Sequence, residues 1–166
     1  IQKAVDSIVG GNTIWVKSGT YTETVTLSSP TAKNGYPKEL LGYNSSHGDE
    51  PTGANRPIID GSASRANGID EGSVSGWSIQ NFRITNHTGD GVTCSVNSTA
   101  FNLYVNTRFD NNVDGYDCRH PVTFIGCEFD NNSARGINKT AYETRLLYSY
   151  LHDNLTDGAY LSGDHV

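Results

Sequence analysis

The chain has 166 residues, of which only 35% are hydrophobic, with 18 glycines and no methionine. That is long enough for one domain but too polar for a thick packed core. A net charge of -6, from 12 basic and 18 acidic residues without any basic run, argues against a nucleic-acid partner. No apolar stretch approaches the ~20 residues needed to cross a bilayer, so a membrane is not an expected partner.

In chain order, Ile1, Ala4, Val5 and Ile8 recur with the period of an amphipathic helix, which predicts a capping helix over residues 1–9, stopped by Gly10 and Gly11. Residues 13–16 and 21–27 read as strands around a Ser18-Gly19 turn. Residues 28–57 are punctuated by Pro30, Pro37, Pro51 and Pro57 and hold one strand-like piece, 39–43; they read as a long excursion from the body. Pro57-Ile58-Ile59-Asp60-Gly61 restores a short strand and turn, so residues 13–61 are entry strands with a long loop. Ile1 is not an initiator, no signal or lipidation motif is visible, and the chain reads as a fragment or a processed product.

Residues 62–166 repeat. A residue-Gly-apolar triplet recurs as Asn67-Gly68-Ile69, Asp90-Gly91-Val92, Asp114-Gly115-Tyr116, Arg135-Gly136-Ile137 and Asp157-Gly158-Ala159, with glycines 23, 24, 21 and 22 residues apart. A second block, ending Phe82-Arg83-Ile84, Thr107-Arg108-Phe109, Cys127-Glu128-Phe129 and Ser149-Tyr150-Leu151, keeps the same register. Repeats of about 22 residues with short period-2 segments and polar turns are the length of one coil of a parallel β-helix, an all-β solenoid in which each coil buries its apolar side on a neighbour. Asn111 and Asn131, with Asn86 and Asp153 in the matching places, then form a turn ladder along the axis.

The opening helix, the double glycine, Thr13-Ile14-Trp15-Val16 and Gly19-Thr20-Tyr21-Thr22-Glu23 resemble the entry of secreted and viral β-helix proteins of the pectate-lyase-like superfamily. Asn34-Gly35-Tyr36-Pro37, Gly42-Tyr43-Asn44 and Arg56-Pro57-Ile58-Ile59-Asp60-Gly61 resemble connections in its alginate lyase, chondroitinase B and family-nine pectate lyase branches and in bacteriophage β-helix proteins. The resemblance implies a right-handed parallel β-helix located outside the cell, on its surface or on a virion. It also implies a lyase mechanism in which Ca2+ neutralises a uronate carboxylate while a Lys or Arg removes the C5 proton. Asp114-Gly115-Tyr116-Asp117-Cys118-Arg119 is similar to the Asp-Gly-x-x-x-Lys stretch of the family-nine enzymes, with Arg in place of Lys. Arg holds its proton more tightly and is the poorer base.

If the apolar residue after each repeat glycine points inward, alternation places Thr93, Asp117, Asn138 and Tyr160 in one outward row and Ser95, Arg119, Thr140 and Ser162 in the next. Arg119 and Lys139 are the candidate catalytic cations. Lys139 falls in an inward register, where a charge is costly, so a bulge or a coil end is expected to free it. Asp117, Asn138, Arg135, His120 and Tyr160 are the candidate substrate-binding residues, and Asp90, Asp114 and Asp117 the candidate Ca2+ ligands. Against this stands a plainer reading: Asp before Gly accepts backbone hydrogen bonds in a turn, and Asp117 with Arg119 is an exposed ion pair of little value.

Cys94, Cys118 and Cys127 lack metal-site spacing. The first two hold the same place in successive coils, within the Cα range a disulfide tolerates, but buried free thiols packing as small apolar groups are the expected state. His87, His120 and His152 lie on different coils and read as surface or turn residues. Trp77, Phe101, Phe124 and Phe129 are expected to point inward, whereas Tyr104, Tyr148, Tyr150 and Tyr160 are expected to offer faces for sugar stacking. Two functions compete: a β-helix that binds and cleaves an acidic polysaccharide, and a structural β-helix of a tail spike, fibre or adhesin that forms a trimer or filament through open coil ends.

Overall fold

A computed structural model describes residues 1–27, 37–74, 76–94, 101–140 and 142–162. Among the described residues, helix α1 (Gln2–Val5) precedes eighteen short strands, three per coil. The first coil holds β1 (Thr13–Lys17), β2 (Gly19–Tyr21) and β3 (Val25–Thr26), and the second β4 (Lys38–Tyr43), β5 (Pro57–Asp60) and β6 (Ile69–Asp70). The third holds β7 (Trp77–Gln80), β8 (Arg83–Thr85) and β9 (Val92–Thr93), and the fourth β10 (Asn102–Val105), β11 (Arg108–Asp110) and β12 (Tyr116–Asp117). The fifth holds β13 (Val122–Ile125), β14 (Glu128–Asp130) and β15 (Arg135–Lys139), and the sixth β16 (Thr144–Leu147), β17 (Tyr150–His152) and β18 (Asp157–Leu161). The first strands of each coil build six-stranded sheet A, the second sheet B and the third sheet C, and every pairing is parallel. The chain is a parallel β-helix, as the repeat predicts.

Alternation along each strand sends one residue in two to the lumen. Ile59, Ile84, Phe109 and Phe129 stack along sheet B and Ile69, Val92, Tyr116 and Ile137 along sheet C, all fully buried. The Phe109 and Phe129 rings lie parallel at 4.6 Å. Each buried ring contributes about 2–3 kcal/mol by leaving water, and such a pair about 1 kcal/mol more. The repeat glycines do align: a Cβ on Gly115 would sit 2.6 Å from the Gly136 carbonyl oxygen, and one on Gly91 2.5 Å from that of Gly115. Only glycine permits this approach of one coil to the next.

Both corners that flank sheet B need left-handed backbone. Asn81, Asn106, Gly126 and Tyr148 occupy it between sheets A and B, and Asn86, Asn111, Asn131 and Asp153 between sheets B and C. Asn and Gly suit these places because they tolerate positive φ. Inside the second corner the side chains of Asn112, Asn132 and Asn154 form a further ladder. Asn132 Oδ1 accepts the Asn112 backbone N–H at 3.1 Å, and Asn132 Nδ2 donates to Phe109 O at 3.1 Å and to Asn154 Oδ1 at 2.8 Å. On sheet B, Arg83 grips Asp110 and Arg108 grips Asp130 through paired hydrogen bonds of 2.5–2.8 Å, each Asp lying one coil further on.

Three expectations change. The helix is one turn, Gln2–Val5, pinned to β3 because Gln2 exchanges hydrogen bonds with the Thr26 backbone. The strand expected over 21–27 is split between sheets B and C by a corner, since a coil must turn there. The strand-like piece at 39–43 is no part of an excursion: β4 pairs with both β1 and β7 inside sheet A. Pro30, Asn34-Gly35-Tyr36 and Ser95 lie outside the described residues.

Candidate functional site: the two faces of sheet C

Sheet C carries chemistry on both sides. Its outer row runs Thr26, Asp70, Thr93, Asp117, Asn138 and Tyr160, one residue per coil in strict register. The predicted row Thr93, Asp117, Asn138 and Tyr160 is therefore present. Arg119 is exposed one step further along the same face. Arg135 lies across the Tyr160 ring at 4.8 Å and pairs with Asp157 at 3.2 Å. This face thus combines two guanidinium groups, an amide, carboxylates and a tyrosine ring.

The turn carboxylates are partly committed. Asp90 Oδ1 accepts the Asp114 backbone N–H at 3.2 Å, and Asp114 Oδ1 accepts that of Arg135 at 2.8 Å, which is the turn role of Asp before Gly. Asp114 is buried and its Oδ2 accepts from Asn138 Nδ2 at 3.0 Å. Burial, with Asp117 and Asp114 close by, pushes the Asp90 carboxyl up to about 6. Asp117 is also raised, first by burial and then by Asp114, against the opposing pull of Arg119 and Arg135. A hard cation would relieve this crowding. Among the described residues, the groups whose ligand atoms all lie within 4.8 Å of one another are Cys94–Cys118–His120 and Glu128–Asp130–His152, and the Asp90–Asp114–Asp117 trio is not one of them.

Beneath this face the inner positions hold a polar cluster that the sequence reading missed. Glu71 is fully buried and accepts from Tyr104 Oη at 2.6 Å; its other oxygen lies 3.0 Å from His120 Nδ1 and 3.1 Å from the Cys118 sulfur. Lys139 Nζ donates to the His120 carbonyl oxygen at 2.6 Å. Burial pushes the Lys139 ammonium down to about 8, against the pull of Glu71. Burial, reinforced by Glu71, raises the Tyr104 and Tyr116 hydroxyls well above their ordinary range. The signal for this cluster was visible as Glu71 following Ile69-Asp70, an inward register for a charge, but nothing local named its partners.

Several placements are corrected here. Lys139 is not freed by a bulge or coil end; it pairs in register with Leu161 and stays in the lumen, away from the outer face. His120 and His87 are buried, so neither is a surface residue, while His152 is exposed. Cys94 and Cys118 are joined in a disulfide, and only Cys127, among the described residues, is a free buried thiol. Tyr104 is in the core and offers no face to a sugar, whereas Tyr148, Tyr150 and Tyr160 are exposed. Phe101 points outward instead of inward. It borders a groove of about 470 Å³ on the outside of sheet A, with Glu39, Gln80, Thr123 and Arg145, whose guanidinium lies over the ring.

Fold and site together define a parallel β-solenoid with one chemically varied outer face. No protein-family model matches the chain, and no curated protein or solved structure proves similar to it. No helix among the described residues is long and apolar enough to cross a membrane.

Proposed function

We propose that the chain is an extracellular or virion-associated β-helix that binds an acidic polysaccharide along the outer face of sheet C. The observation that carries this reading is the in-register row Thr93, Asp117, Asn138 and Tyr160 flanked by Arg119 and Arg135. A polymer with a regular axial repeat meets a surface that also repeats once per coil, at about 4.8 Å. Arg119 and Arg135 attract its carboxylates, Tyr160 offers an apolar ring face, and Asp90, Asp114 and Asp117 are the carboxylates that would have to draw together to hold a Ca2+, which would supply neutralisation of the polymer's acid groups. The disulfide is in keeping with an oxidising location. Cleavage on this face would be β-elimination: Arg119, as the neutral guanidine left when its own proton is lost to solvent, takes the C5 proton, the C5–H electron pair forms the C4–C5 double bond, the C4–O bond to the departing sugar breaks, and the leaving oxygen takes a proton from water.

The test is incubation with pectate, alginate and chondroitin, following binding by calorimetry and the unsaturated product by absorbance, with and without chelator. Binding that falls in Asp117→Ala and Tyr160→Ala supports the polysaccharide reading, and chelator-sensitive product that vanishes in Arg119→Ala supports the lyase step. Inertness toward every polymer removes both.

The Asn and Arg–Asp ladders favour a second reading, a structural β-helix of a tail spike, fibre or adhesin. Exposed Leu146, Leu147, Tyr150 and Leu155 would then be the surface through which copies associate. Sedimentation as a trimer or filament supports this reading, and a monomer at high concentration counts against it.

A further inference from the structure

We infer that reduction of the Cys94–Cys118 disulfide creates a Zn2+ site from the two thiolates and the imidazole of His120. Each of the three offers one ligand atom, and these atoms lie within 4.8 Å of one another. The Cα atoms of the cysteines are 5.0 Å apart on adjacent coils, so both sulfurs project into the lumen from neighbouring rungs. A tetrahedral Zn2+ with Zn–S of about 2.3 Å and Zn–N of about 2.0 Å needs its donors at comparable separations. Rotation of the two cysteine side chains after reduction would let the three groups act as donors, with water from the Cys94 side in the fourth position.

The surroundings suit a metal centre better than a plain disulfide requires. His120 is fully buried, and its Nδ1 meets the Glu71 carboxylate at 3.0 Å, a contact that fixes the imidazole ring beside the two cysteines. The Arg119 backbone N–H donates to Cys94 Sγ at 3.1 Å, a bond that strengthens once the sulfur is a thiolate. Glu71 Oε2 stands 3.1 Å from the Cys118 sulfur and accepts from the thiol on reduction, a bond that Zn2+ must displace when it takes the thiolate. Charge also closes: Zn2+ with two thiolates is neutral, and Glu71 is offset by Lys139 in the same lumen. Cys94 is half-buried, which provides the route of entry, while the other two donors are sealed. Glu128–Asp130–His152 lacks this character, because Arg108 already holds Asp130 with two hydrogen bonds.

The chemistry balances. A trialkylphosphine and one water convert the disulfide into two thiols and a phosphine oxide, and Zn2+ then displaces two thiol protons. Either state ties β9 to β12, one through sulfur–sulfur and the other through a metal.

The experiment uses the 166-residue chain with Co2+ as the spectroscopic probe and Zn2+ as competitor. After phosphine reduction it should take up one Co2+ per chain with a sulfur-to-cobalt band that Zn2+ bleaches, while the oxidised chain shows none. Cys127→Ser should keep the band. His120→Ala should weaken Co2+ at least tenfold and shift its visible bands, and Glu71→Gln should weaken it roughly tenfold as an orienting partner. Equal uptake before and after reduction overturns the inference, as does an unchanged spectrum in His120→Ala. Should circular dichroism show His120→Ala unfolded, Cys94→Ser decides: loss of the band supports the site, and its persistence overturns it.

Discussion

Glu71 Oε2 and His120 Nδ1 meet at 3.0 Å in the lumen although they stand 49 positions apart, and both side chains are fully buried. The contact spans from the second coil to the loop after β12. Tyr104 and Lys139 join the same cluster, so one polar knot links the second, fourth and fifth coils.

Lys139 should make stability depend on alkaline pH. Its native ammonium is lowered to about 8 by burial, whereas the unfolded chain keeps its proton to about 10.4. Between those values the unfolded state binds more protons, so Lys139 adds stability as pH rises through about 8, up to about 3 kcal/mol in all. Urea denaturation at pH 7, 8.5 and 10 should show this rise in the native chain and not in Lys139→Met. A Lys139→Met chain with the same alkaline rise would refute the assignment.

Asp130 behaves in the opposite sense. Burial raises its carboxyl, but hydrogen bonds from Arg108 and Asn131 outweigh this and hold it below the ordinary range. Its stabilisation is therefore present above about pH 4 and is lost as pH falls below it. Arg108→Ala leaves that buried carboxylate without its guanidinium partner, with only Asn131 still donating to it, and should cost about 3 kcal/mol. Arg145→Ala, which removes an exposed pair with Glu143, should cost less than about 1 kcal/mol. Equal losses would mean that the sheet B ladder contributes little.

Asp90 is raised to about 6, so its native state holds a proton that the unfolded state releases from about pH 4 upward. Its contribution falls as pH rises from about 4 to 6. Asp90→Asn should melt higher than the native chain at pH 7, with the difference closing below pH 4. If Ca2+ occupies this edge, it should raise the melting temperature of the native chain at pH 7 more than at pH 5, and that of Asp90→Asn least.

Tyr148 holds a left-handed backbone, φ 54°, in a ladder where the other places are Asn81, Asn106 and Gly126, and its ring is 90% exposed. Tyr148→Asn should relieve strain without losing packing and stabilise by about 1 kcal/mol. A destabilised variant in thermal melts would show that the ring makes contacts worth more than the strain.

The outer row of sheet C was legible because alternation is local: once Tyr116 and Ile137 point inward, Asp117 and Asn138 must point outward. The same rule put Lys139 inward, yet the cost of burying a bare charge led to an expected bulge. The lumen instead supplies the His120 carbonyl and the field of Glu71, partners that no local spacing reveals. Cys94 and Cys118 were legible as neighbours, but not as bonded.

The roughly 22-residue period and the alternation within it determined by themselves that the chain winds into stacked parallel coils with glycines aligned, because both depend on residues close in sequence. Only tertiary structure decided that His120, Glu71 and Tyr104 converge in the lumen, that Phe101 faces outward, and that two cysteines are joined. Those outcomes depend on which side chains from different coils meet, and their energy comes from partners supplied across the stack.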